Sequence, residues 1–183
     1  MKKKLLFVVG SLRERSFNRQ LARKVAAIVA GRADVAFLGC ADVPPMNQDA
    51  ESPVPPAVSS AREAVLAADG IWIFTPEYNG SFPGVLKNLL DWLSRPLVPG
   101  DMASGTAVAG KRVTASGAGG KNATRSARAD LARLLAFMRM EVLCGEGTGI
   151  ALSADSFATD TLALSAQDED TLAAQAAEFL SRI

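Results

Sequence analysis

Apolar runs of strand length alternate with stretches of helical period along most of the chain. Lys4–Val9 and Ile71–Thr75 are apolar at nearly every position, the pattern of central parallel strands covered on both faces. Asp34–Leu38 predicts a second strand, Lys111–Ala115 a less apolar fourth, and Glu141–Cys144 a short fifth. Ser16 or Asn18 can cap a helix that carries Leu21, Val25, Ile28 and Val29 on one face and ends at Gly31. Ala57–Ala68 predicts a second helix, stopped by Asp69-Gly70. Ser81 can cap a third, reaching Arg95, with Val85, Leu86, Leu89, Leu90 and Leu93 as its stripe. Pro83 falls in its first turn, where a missing N–H costs little. Two further helices are expected, from about Asn122 to Met140 and over Gln167–Ser181 with Ser165 as cap. Asp42–Pro56 holds five of the nine prolines and reads as loop. Pro96 and Pro99-Gly100 read as helix stops, and Gly145–Ala166 has no clear period.

Strands alternating with helices predict an α/β fold with right-handed crossovers. The length and element count fit a flavodoxin-like, five-stranded parallel sheet of order 2-1-3-4-5 with helices on both faces. Residues 1–183 are expected to form one domain. That strand order sets Cys40 and Cys144 on opposite edges, about 19 Å apart at ~4.8 Å per strand, so no disulfide is expected within the chain.

Charge narrows the partners. Twenty Lys and Arg against nineteen Asp and Glu leave a net +1, without the basic field that nucleic acid attracts. There is no histidine, which removes Ser-His-Asp and Cys-His catalysis and His-based metal sites. Met1-Lys2-Lys3-Lys4 before Leu5–Val9 has the outline of a signal peptide, but the apolar run is short and Arg13 and Arg15 follow at once. A soluble cytoplasmic protein without membrane insertion is expected.

Three strand-to-helix turns carry the chemistry, and all fall at the C-terminal ends of the strands, where open parallel sheets bind ligands. The first is Gly10-Ser11-Leu12-Arg13-Glu14-Arg15-Ser16-Phe17-Asn18. A helix N-terminus with Ser11, Ser16 and Asn18 as neutral donors and Arg13 as a charged one suits a single terminal phosphate. Arg15 shares that role or faces solvent. The patterns GxxxxGK[ST] and GxGxxG are absent from this turn, so a pyrophosphate is not indicated. The second turn, Thr75-Pro76-Glu77-Tyr78-Asn79-Gly80-Ser81, holds the only tyrosine and offers an aromatic face beside backbone donors. For Glu77 a structural or hydrogen-bonding role is favoured over acid catalysis. The third, Ser116-Gly117-Ala118-Gly119-Gly120, lacks side-chain bulk, so its backbone can approach a ring edge. Gly145-Glu146-Gly147-Thr148-Gly149 looks like a nucleotide loop, but no convincing helix follows it, and a plain loop is expected.

These turns, with Pro83-Gly84-Val85-Leu86-Lys87-Asn88 and Asp91-Trp92-Leu93-Ser94-Arg95, resemble the NADPH-dependent FMN reductase family, which includes bacterial quinone and chromate reductases. The resemblance implies bound FMN, NADPH or NADH as electron donor, and two-electron hydride transfer through flavin N5 in a ping-pong scheme. The acceptor would be a quinone, free flavin or a similar small molecule, and no side chain is catalytic. By the same resemblance Ser11, Leu12, Arg13, Ser16, Phe17 and Asn18 hold the phosphate and ribityl chain. Pro76, Glu77, Tyr78 and Asn79 line the ring, and Ser116 and Gly117 meet its other edge. Arg13, Arg15 and Lys121 are candidates for a 2′-phosphate. The analogy also makes the helix over 81–95 a self-association surface, with Trp92 as anchor of a homodimer or homotetramer. The alternative is a non-enzymatic flavodoxin-like electron carrier, which the near-neutral charge disfavours.

Overall fold

Strand β1 (Lys3–Val9) sends Leu6 and Val8 to one face of a sheet and Leu5, Phe7 and Val9 to the other, and all five are buried. This two-sided burial explains the unbroken apolar run. The computed structural model describes residues 2–183; Met1, the first residue of the signal-like start, lies outside the described residues. After β1 come α1 (Phe17–Val29), β2 (Ala33–Gly39), a 3₁₀ turn (Gln48–Ala50), α2 (Pro56–Ala67), β3 (Gly70–Phe74) and α3 (Gly84–Leu93). Then follow β4 (Pro96–Val98), β5 (Asp101–Thr106), β6 (Arg112–Gly119), α4 (Arg125–Phe137), β7 (Glu141–Val142), β8 (Thr148–Ala151), α5 (Ala154–Thr159) and α6 (Ala166–Arg182).

The main sheet has the order β2-β1-β3-β6-β7, with every pairing parallel. This is the expected 2-1-3-4-5 order of a flavodoxin-like fold. Its fifth position is split. β7 pairs with Arg112 and Val113, and β8 takes over beside Ser116–Gly119. One face is covered by α2, α3 and α4 through Ala61, Val65, Leu86, Leu89, Leu93, Leu131 and Leu135. The other is covered by α1 and α6 through Leu21, Val25, Val29, Leu172 and Phe179.

Several expectations need correction. The third helix starts at Gly84 with Pro83 in the cap position, not at Ser81. Ser81 instead forms a backbone bridge with Tyr78. Pro99-Gly100 ends a helix only indirectly: it is the turn of the β4–β5 hairpin, where Val98 faces Asp101 and Gly100 takes φ 80°. The fourth main-sheet strand runs on to Gly119, four residues past the expected Ala115. The segment without period contains β8 and α5.

Trp92 is not a surface anchor. Its ring is wholly buried and its Nε1 donates to the Pro44 carbonyl at 2.8 Å. Asn88, one turn earlier, donates to Pro44 O at 2.9 Å and accepts from Met46 N at 2.7 Å. The proline-rich loop therefore covers a second face of α3, which is why Trp92 lies off the main stripe. No helix among the described residues is long and apolar enough to cross a membrane.

The Gly145–Gly149 segment spans the gap in the fifth strand. A Cβ on Gly147 would stand 1.7 Å from Ala115 O, and one on Gly149 2.2 Å from Ala123 O. The buried Arg128 guanidinium donates from Nη1 to the Glu146 and Gly147 carbonyls, both at 2.7 Å. Close backbone packing accounts for Gly147 and Gly149, and Gly145 takes a positive φ of 57°.

Candidate active site

The loops after β1, β3 and β6 meet at the C-terminal edge of the sheet around a cleft of about 340 Å³. Ser11, Arg13, Ser16, Phe17, Asn18, Pro76, Glu77 and Tyr78 line it, together with Ala118, Gly119, Gly120, Leu152 and Phe157. Gly10 N donates to Phe74 O at 2.9 Å, so the first two loops leave adjacent strands side by side. Leu12 stands half-exposed in a neighbouring hollow, and Asn79 is exposed outside the cleft lining. A second hollow, about 310 Å³, lies among Leu5, Leu6, Val35, Ala36 and Ala68 near the N-terminal ends of the strands. Its lining is mostly apolar, with Lys4 and Asp34 as its charged members.

The first loop ends in the N-terminus of α1. Ser16 caps it, its Oγ accepting from Asn18 N at 3.2 Å. No acidic residue stands in the first turn, so the positive end of the helix is left uncompensated there. Asn18 reaches across to the third loop: its Nδ2 donates to Ala118 O at 2.9 Å and its Oδ1 accepts from Ala118 N at 2.8 Å. The amide thus replaces a backbone partner at the end of β6. Arg13 lines the cleft, half-exposed, with its guanidinium carbon 5.5 Å from the centre of the Phe17 ring.

The second loop is folded by its own backbone. Tyr78 N donates to Ser81 O at 2.8 Å and Ser81 N to Tyr78 O at 3.1 Å. Between them Asn79 and Gly80 take φ 53° and 79°, the left-handed pair that a type I′ turn requires. The turn holds Tyr78 half-exposed at the mouth of the cleft. Asn79 therefore serves as a turn residue here. Glu77 points its carboxylate toward α4, accepting from Ala127 N at 3.1 Å and from Asn122 Nδ2. Thr124, the cap position of α4, offers no side-chain cap, so Glu77 supplies the anion at that helix end.

Of the expected third turn, only the part from Ala118 onward lines the cleft. Ser116 and Gly117 are within β6 and are buried. Ser116 Oγ accepts from Trp72 Nε1 and donates to Gln175 Oε1, both at 3.0 Å, so its hydroxyl serves the core. A Cβ on Gly117 would stand 2.1 Å from Thr124 Oγ1 and 2.4 Å from Thr75 O. Neither residue lines the cleft; Ala118, Gly119 and Gly120 take that place. The sequence ended the strand at Ala115, before the glycine-rich turn, whereas pairing with β8 carries it onward.

Leu152, Phe157 and Asp160 are the residues that sequence reasoning missed. Phe157 packs edge-on against Phe17 at 5.9 Å, and Asp160 forms ion pairs with both Arg13 and Arg15. Their segment has no period of its own, and its place depends on contacts with α1. Burial pushes the Cys40 thiol up to about 11 and the Arg128 guanidinium down; neither side chain lines the cleft. Among the described residues no cluster of three His, Cys, Asp or Glu side chains could hold a metal ion.

The donor set suits a phosphorylated flavin. A guanidinium and an uncompensated helix N-terminus stand at one end, and an exposed tyrosine ring beside Pro76 and small backbone stands at the other. Comparison with known proteins points the same way. FerB, a flavoenzyme NAD(P)H:(acceptor) oxidoreductase from Paracoccus denitrificans, superposes with a TM-score of 0.86 at 26% identity, covering 98% of this chain and 96% of that one. A 2-hydroxy-1,4-benzoquinone reductase from Burkholderia sp is 45% identical over 93 residues, 51% of each chain. A quinone reductase from Pseudomonas putida is 37% identical over 126 residues, 68% of this chain and 67% of that one. The chain thus spans about half the length of the first of these two relatives and two thirds of the second. The model of the NADPH-dependent FMN reductases matches residues 3–147, which include all three loops of the cleft, and the chain belongs to that family.

Proposed function

We propose that the protein is an FMN-dependent NAD(P)H oxidoreductase that reduces quinones, free flavin or similar small acceptors in a ping-pong scheme. The observation that carries this reading is the meeting of Arg13, the α1 N-terminus and Tyr78 around one cleft. Bound FMN would supply the two-electron hydride chemistry. Arg13 and the first turn of α1 would hold the phosphate, with Ser11 beside them. Tyr78 and Pro76 would flank the ring, and Gly119 and Gly120 would let it approach the backbone closely. Glu77, engaged with α4, would orient the second loop and leave proton movement to water. Self-association would need a surface other than the buried Trp92.

The protein should purify yellow and bleach on anaerobic addition of NADPH. A yellow protein that resists NADPH would point to an electron carrier, and a colourless protein that takes up no FMN would remove flavin from the proposal. Arg13→Ala should weaken FMN binding by about 1.5–3 kcal/mol, read by quenching of flavin fluorescence. An unchanged affinity would refute the phosphate assignment.

A further inference from the structure

Asp160 lies beyond the family-matched span of 3–147 yet carries both arginines of the first loop. Its Oδ1 accepts from Arg13 Nη2, and its Oδ2 forms an ion pair with Arg15 Nε at 2.9 Å. Its backbone is fixed from α1: Gln20 Nε2 donates to Asp160 O and to Arg15 O, each at 3.1 Å. Gln20 Oε1 in turn accepts from Leu162 N at 2.8 Å. The carboxylate is therefore held relative to the same helix end that faces the cleft. Asp160 takes φ 55°, a conformation that Asp and Asn adopt more readily than most residues. Its side chain is 21% exposed, against 51% for Arg13 and 71% for Arg15.

Arg13 lines the cleft and Asp160 does not. Arg13 spends one edge of its guanidinium on Asp160 and lies near the Phe17 ring, leaving its other donors for a ligand. Arg15 balances the charge of Asp160, so the charge of Arg13 stays available.

We infer that Asp160 is a positioning residue that fixes Arg13 for the phosphate of a phosphorylated flavin. It thereby contributes to discrimination between phosphorylated and unphosphorylated flavins. The inference rests on the proposed placement of the flavin phosphate at the first loop. Its physical basis is rotamer freedom: a free arginine side chain loses much on binding, and one already held loses little.

The test is Asp160→Asn, which keeps the left-handed backbone conformation accessible. The full chain is titrated with FMN and with riboflavin in about 0.5 M salt, where long-range gain from deleting a negative charge is screened. We expect FMN affinity to fall about fivefold and riboflavin affinity to stay within about twofold. In an Arg13→Ala background, Asp160→Asn should have no further effect on FMN. An equal loss for both flavins would mean that Asp160 only supports the fold and would overturn the inference. So would unchanged or tighter FMN binding, the latter marking Asp160 as a competitor of the phosphate. Wild-type protein that binds FMN no better than riboflavin would refute the phosphate placement itself.

Discussion

The first and second loops stand side by side on β1 and β3, yet they are held in opposite ways. The first depends on partners a hundred or more residues away: Asn18 on Ala118, and Arg13 and Gln20 on Asp160. The second closes on itself through four consecutive residues, Tyr78–Ser81, with a left-handed Asn-Gly pair at its tip. The charged end of the cleft therefore forms only when the C-terminal third has docked. The aromatic end takes its shape from its own turn, with Glu77 and Ser81 adding ties to α4. The difference makes the first loop sensitive to distant substitutions and the second to local ones.

Asn18→Ala should have the largest effect. It leaves the buried N–H and C=O of Ala118 without their partner, at a cost of about 3 kcal/mol in urea unfolding. A cost below about 1 kcal/mol would mean that the third loop holds without the first. Gly80→Ala forces a Cβ into the left-handed region and should cost about 1–2 kcal/mol while leaving Arg13 and its partners intact. Loss of phosphate selectivity in that variant would break the comparison. Glu77→Gln removes the anion at the α4 N-terminus, for about 0.5–1 kcal/mol in thermal unfolding. Turnover should be little changed; a loss of a hundredfold or more would make Glu77 a proton donor instead.

The smallest effect concerns Cys40, whose Sγ lies against Val9 O at the base of the first loop. Its thiol is raised by burial to about 11, so folding favours the protonated form. Stability from this group is present at neutral pH and is lost as pH rises from about 8.5, where the unfolded thiol ionises, through 11. Cys144 is more exposed and should react first with a thiol reagent at pH 8. Equal rates for the two thiols would contradict the burial of Cys40.

The sequence made the sheet order and both dry faces legible because β1 and β3 carry their period without interruption. Its local devices were legible too: a cap at Ser16 (one of the two candidates, with Asn18), the Ser165 cap and the structural engagement of Glu77. Trp92 was misread because the loop that buries it has no period to announce its docking. Ser116 and Gly117 were misplaced because the strand end depends on pairing with β8, whose four residues are too short to show a pattern.

What the sequence alone determined is the set of apolar runs, caps and glycine-rich turns, since each depends on neighbours within a few residues. That was enough for the fold and for the edge of the sheet where the cleft opens. Tertiary structure decided which side chains face the cleft. Asn18 turned to Ala118, Ser116 to Trp72 and Gln175, and Asp160 to Arg13. A polar side chain takes the partner that comes within about 3 Å, and which partner does so is settled only when separate elements pack.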